Sequence, residues 1–138
     1  FLNMHYIKRI SKKSEFENRL DKTIKSLKSK QHNVILVGDI PRYKVRPEYC
    51  IYGSSIEKAR NYCSIPKLDF YTQKQFYEPS LVHLADKNNI KYISIHQPLC
   101  NIEKCSMIQV DTILYRDKSH LNIFGSKLVG AYLAKQLK

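Results

Sequence analysis

Val34-Ile35-Leu36-Val37-Gly38-Asp39-Ile40-Pro41 is the stretch on which the fold turns. Its first four residues are all apolar and three of them are β-branched, as a strand buried on both faces of a parallel sheet requires. Gly38 to Pro41 closes the run with turn formers. Upstream, Ser14-Glu15-Phe16-Glu17 reads as a capping box. Phe16, Leu20, Ile24 and Leu27 then recur at helical spacing over a lysine-rich face, so a helix should feed the strand. Downstream, a second helix is expected with Pro79 in its first turn, Leu81, Leu84 and Ala85 facing inward, and an end near Asn88-Asn89. Tyr92-Ile93-Ser94-Ile95 and Thr112-Ile113-Leu114-Tyr115 read as two more short strands. Phe124, Leu128, Ala131, Tyr132 and Lys135 mark one face of a terminal helix. This alternation predicts an α/β fold with a parallel sheet between helices. From Arg42 to Tyr71 the pattern is weak: Pro41, Pro47 and Pro66 punctuate an excursion with one short helix over Ser55–Tyr62.

The chain has 138 residues, 43% hydrophobic and 26% charged, which suits one compact domain and excludes disordered, fibrous and repeat architectures. Its apolar runs fall far short of the ~18 residues a membrane helix needs, and no signal-peptide pattern is read at the N-terminus. Lys plus Arg number 24 against 12 Asp plus Glu, a net charge of +12. That excess attracts polyanions: nucleic acid, anionic lipid or acidic glycan. It also accompanies the Ile, Asn and Tyr usage of an AT-rich coding sequence. The basic residues are spread out, except Lys8-Arg9 with Lys12-Lys13, and Lys22, Lys25, Lys28 and Lys30 on a solvated helix face. The tyrosines lack the paired spacing of a base-stacking platform, so no nucleic acid partner is expected.

Cys50 with Cys63, and Cys100 with Cys105, form two locally spaced pairs, which favours two disulfides and an oxidising compartment. A four-cysteine zinc site usually pairs ligands two to four residues apart, which neither pair does. Buried free thiols are the other alternative. No metal site and no cofactor are expected.

The stretch that could carry chemistry is Tyr115-Arg116-Asp117-Lys118-Ser119-His120-Leu121-Asn122, just before the last helix. Asp117 and His120, three apart on a turn, can set a carboxylate against imidazole Nδ1–H and leave Nε2 to take a proton from a hydroxyl nucleophile. The structural alternative is an Asp that caps the last helix with a His in its first turn. Asp-x-x-His-Leu-Asn, with Gly125 and an amphipathic terminal helix behind it, resembles the last motif block of SGNH (GDSL-type) hydrolases. More narrowly, the chain is similar to the SGNH domain at the C-terminus of the acyltransferase-three family of membrane O-acetyltransferases. The helix feeding Val34–Pro41, the Pro-rich excursion with Cys50 and the Cys100–Cys105 loop support that match, which spans nearly the whole chain.

The resemblance implies a three-layer, flavodoxin-like SGNH fold and covalent acyl transfer. A Ser in a Gly-Asp-Ser block attacks an acyl ester, His120 accepts its proton, and Asp117 orients His120. Partners would be an acetylated donor and a glycan acceptor such as lipopolysaccharide O-antigen. The chain would be tethered to a membrane acyltransferase domain at the periplasmic or extracytoplasmic face. Yet the sequence has no Gly-Asp-Ser; Gly38-Asp39-Ile40 carries no nucleophile, and the Gly and Asn oxyanion blocks are absent. Residues 1–138 are therefore expected to form the C-terminal portion of a single domain, incomplete at its N-terminus and inactive alone. Gly53-Ser54-Ser55 lacks the strand-to-helix elbow of a nucleophile, and Ser55 reads as a helix cap. His96, after a strand, reads as a hydrogen-bonded loop residue that could line the same cleft; His5, His32 and His83 have no identifiable partner. The reading from a different class is a non-catalytic basic α/β module for acidic glycan or nucleic acid.

Overall fold

The computed structural model describes residues 13–52 and 62–138. The elements are α1 (Lys13–Ser29), β1 (Ile35–Val37), α2 (Glu48–Tyr52), β2 (Ser64–Pro66), α3 (Lys67–Lys74), α4 (Glu78–Lys87), β3 (Lys91–Ile93), a 3₁₀ turn (Gln97–Leu99), β4 (Lys104–Ser106), β5 (Ile108–Gln109), β6 (Thr112–Ile113) and α5 (Ile123–Gln136). They divide into two units, one of residues 1–39 with 74–94 and one of 40–73 with 95–138. The short helix expected over Ser55–Tyr62 falls largely outside the described residues.

In the first unit, α1 buries Phe16, Leu20 and Ile24 as its periodicity predicts, while Leu27 is 38% exposed. Lys13 is already helical, so Ser14 lies inside the first turn and does not cap it. The apolar stripe packs on Leu84 of α4, with Val34, Leu36, Leu81 and Ile90 around it. Each such fully buried aliphatic side chain contributes about 1.5–3 kcal/mol. Asp21, on the same face, accepts hydrogen bonds from Asn88 at 2.8 Å and Lys87 at 3.1 Å and pairs with Lys25 at 2.7 Å. Lys25 first, then Asn88, holds its carboxyl well below the usual range against the opposing effect of burial.

β1 pairs in parallel with β3, Ile35 opposite Lys91, Leu36 opposite Tyr92 and Val37 opposite Ile93, and α4 packs against both strands. Gly38 continues the ladder by donating to the Ile93 carbonyl at 2.9 Å. A Cβ there would lie 2.5 Å from the Tyr92 hydroxyl, so a larger residue would have to push that side chain aside. That hydroxyl donates to Glu78 at 2.8 Å. α4 begins with Pro79 in its first turn and ends at Asn88, as predicted, with Asn89 at φ 50° in the left-handed conformation that Asn tolerates.

The second unit departs further from expectation. β2 and β4 pair antiparallel, Ile65 opposite Cys105. β5 and β6 form an antiparallel hairpin, Ile108 opposite Ile113. Thr112-Ile113 thus belongs to a local hairpin, not to a third parallel strand, because its partner lies within five residues, a separation that a tight turn can close only antiparallel. The excursion holds α2, β2 and α3 in place of an irregular loop, and it is closed by the Cys50–Cys63 disulfide. Cys100–Cys105 is bonded as well, so every cysteine is paired. Cys63, Phe70, Leu99, Cys105, Met107 and Tyr115 are almost wholly buried here. On α5 the buried line is Gly125 and Val129, while Phe124, Ala131 and Lys135 are exposed. The inward face is rotated by one residue from the predicted stripe. Gly125 has no side chain, and so this face approaches the Leu114 carbonyl most closely.

Candidate active site

The loop between β6 and α5 is tied at its base. The Arg116 N–H donates to the His120 carbonyl at 2.8 Å, the Asn122 N–H to the Leu114 carbonyl at 2.9 Å, and Tyr115 bridges Leu121. Asn122 is the N-cap of α5: its Oδ1 accepts from the Phe124 and Gly125 N–H groups at 2.9 and 3.0 Å, and its Nδ2 donates to the Ile113 carbonyl at 2.7 Å. The helix is therefore capped without Asp117, which removes the capping alternative for that carboxylate.

Asp117 turns back on its own loop. Its Oδ1 accepts from the Ser119 and His120 backbone N–H groups, both at 2.9 Å. Its two oxygens lie 2.9 and 2.8 Å from His120 Nδ1. The pair sits at the surface, with the Asp117 side chain 33% and the His120 side chain 48% exposed. Partial burial raises the Asp117 pKa, but the Ser119 backbone bond, the His120 ring and the His120 backbone bond together outweigh it and hold the group at about 2. A carboxylate so placed fixes the tautomer with the proton on Nδ1 and leaves Nε2 as the basic nitrogen. Nε2 has no hydrogen-bond partner among the described residues. Ser119 Oγ lies 3.4 Å from His120 Nδ1, on the side that Asp117 occupies, and so cannot deliver a proton to Nε2.

Arg46, Asp117, Lys118, Ser119 and His120 line one shallow cleft of about 290 Å³. Arg46 comes from the Pro-rich excursion, where no periodic signal singled it out; its backbone carbonyl accepts from the Tyr49 N–H at 3.1 Å. Arg116 lies beside the pair, its Nε 3.7 Å from Asp117 Oδ2. His96 is not among the residues that line this cleft. His96 is buried, its ring 4.8 Å from that of Phe70. His32 and His83 are exposed. His5, Lys8, Arg9, Lys12 and Gly53-Ser54-Ser55 lie outside the described residues. Among the described residues no His, Cys, Asp and Glu group could hold a metal ion, and no helix is long and apolar enough to cross a membrane.

A family model described as SGNH domain (fused to AT3 domains) matches residues 2–135. Comparison with curated proteins and with solved structures finds no match.

Proposed function

The chain belongs to the SGNH domains fused to AT3 domains, and from that premise we propose that it supplies the His–Asp half of an acyl-transfer site acting on the O-acetyl groups of a cell-surface glycan. The observation that carries the reading is the Asp117–His120 pair at 2.8 Å, with the outer edge of the imidazole open. The serine comes from a Gly-Asp-Ser block outside these 138 residues. Its hydroxyl attacks the acetyl carbonyl while His120 Nε2 takes the proton, and Asp117 stabilises the imidazolium that forms. Collapse of the tetrahedral intermediate returns that proton to the departing oxygen and leaves an acetyl-serine. A sugar hydroxyl then attacks the acetyl group, with Nε2 again the base, and the serine is released with the acetyl on the glycan. Water in place of the sugar gives hydrolysis.

Two disulfides and the AT3 association support a location on the extracytoplasmic side of a membrane, such as the periplasm, with lipopolysaccharide O-antigen or a similar glycan as acceptor. The test is turnover of a chromogenic acetyl ester by the full-length protein that carries this chain. His120→Ala should lower kcat at least about 10³-fold; a variant that keeps its turnover overturns the reading.

A further inference from the structure

Resting on the acyl-transfer reading, we propose that Arg46 is the specificity residue of this site, pairing with an oxyanion group, a sugar carboxylate or a sugar phosphate, on the glycan brought to His120. Arg46 shares the cleft with His120 and Asp117, which puts a planar five-donor fork beside the base and not at a remote surface. Its standing partner is weak. One guanidinium nitrogen lies 3.4 Å from Glu48, and both side chains are more than half exposed, so solvent screens the contact and a bidentate oxyanion can displace it.

The local charge favours an anion. Arg46, Lys118 and Arg116 face Glu48 and Asp117, and Asp117 is already committed to His120 and to two backbone N–H groups.

The backbone under Arg46 is held on both sides, so only the side chain must adjust. On one side the Tyr43 N–H donates to the Lys118 carbonyl at 2.9 Å and the Tyr43 ring packs edge-on against Tyr115 at 5.0 Å. Gln73 brackets the Arg42 backbone with bonds of 3.1 and 3.0 Å. On the other side Pro47 is buried, and Cys50, which donates to the Pro47 carbonyl at 2.9 Å, is bonded to Cys63. Lys118 contributes the carbonyl that receives Tyr43, so the wall carrying Arg46 is fastened to the loop carrying the catalytic pair. The backbone that carries the fork loses little freedom on binding, so the ordering cost is confined to the Arg46 side chain.

The experiment is equilibrium binding to the full-length protein of trigalacturonate, neutral galactotriose and galactose 6-phosphate. Wild type should bind at least one anionic probe more tightly than the neutral one, with affinity that falls as salt rises; which anionic probe wins assigns carboxylate or phosphate. Arg46→Ala should weaken the anionic probe about 10- to 100-fold relative to the neutral one. Arg46→Lys should recover only part, because a point charge lacks the fork. Lys135→Ala, exposed in the last turn of α5, serves as the control and should keep the wild-type ratio. A wild type without anionic preference, or an Arg46→Ala variant with the wild-type ratio, overturns the inference. Ester turnover in His120→Ala judges the catalytic reading separately, so the two can fail independently.

Discussion

Alanine at Gly125 and alanine at Gly130 are the same substitution in the same helix, and the structure assigns them opposite signs. A Cβ on Gly125 would lie 2.1 Å from the Leu114 carbonyl oxygen and 2.9 Å from Leu121 Cδ2, whereas one on Gly130 meets nothing within 4 Å. Replacing an exposed helical glycine by alanine gains about 1 kcal/mol, and Gly130→Ala should realise most of it. At Gly125 the same gain is opposed by a backbone oxygen that cannot rotate away. Restoring an ordinary contact needs roughly 1 Å of separation between α5 and the Leu114 segment, an overpacking cost of about 1–3 kcal/mol. The movement also stretches the Asn122 bonds to the Leu114 and Ile113 carbonyls, 2.9 and 2.7 Å, each worth about 1 kcal/mol. The net for Gly125→Ala is a loss of about 2–4 kcal/mol, which puts the two variants about 3–5 kcal/mol apart. Urea titration followed by far-ultraviolet circular dichroism reads this directly, provided the slopes agree. A Gly125→Ala protein whose midpoint equals or exceeds that of Gly130→Ala would refute the packing argument.

The Asp117 carboxyl, held at about 2 against an ordinary 3.8, should titrate near 2 by carboxyl NMR. Since its folded pKa is depressed, its contribution is complete above pH 3.8 and is lost as pH falls through 2, so the stability gap between wild type and Asp117→Asn should close across that window. The same variant should lower ester turnover about 10²- to 10⁴-fold through loss of the tautomer. Replacing Cys50 and Cys63 together by Ser opens a closure of 13 residues and should cost about 3 kcal/mol in a thermal melt, against about 2 kcal/mol for the five-residue Cys100–Cys105 closure. Val110, 96% exposed at φ 42°, is a β-branched residue in left-handed backbone; Val110→Asn should raise the urea midpoint by about 1 kcal/mol equivalent, and a lowered midpoint would contradict the strain.

What could be read from the chain alone divides along the range of the interactions. The helices α1 and α4 were legible because Phe16, Leu20, Ile24 and Leu84 mark their buried faces at helical spacing, and β1 and β3 because their apolar runs pair with each other. Thr112-Ile113 has the same β-branched look, but its partner is the adjacent Ile108-Gln109, and the left-handed Val110-Asp111 turn carries none of the Asn-Gly chemistry that announces a hairpin. Periodicity also misplaced the inward face of α5, since it scores Gly125 as neutral although the missing Cβ is what brings that face closest to its neighbour. Between residues 42 and 74, a disulfide and long-range hydrogen bonds organise α2, β2 and α3, and neither leaves a repeat in the sequence. The site splits in the same way. Asp117 and His120 were legible because three residues of one turn bring them together. Arg46 was not, because only tertiary contacts bring it to them.

That division has a chemical consequence. The Asp117–His120 geometry is fixed by hydrogen bonds within its own loop and by the Asn122 cap, none of which depends on the excursion. The position of Arg46 depends instead on the Tyr43–Lys118 bond and on the Cys50–Cys63 closure. Breaking that closure removes the covalent half of the fastening and leaves the loop that carries Asp117 and His120 intact. In the Cys50→Ser, Cys63→Ser protein, at temperatures where it remains folded, discrimination between anionic and neutral probes should therefore decline more steeply than turnover of a small acetyl ester. Parallel loss of both would mean that the two halves of the cleft share one support. Loss of turnover alone would place the support of the Asp117–His120 pair in the excursion, against the hydrogen-bond pattern that isolates it.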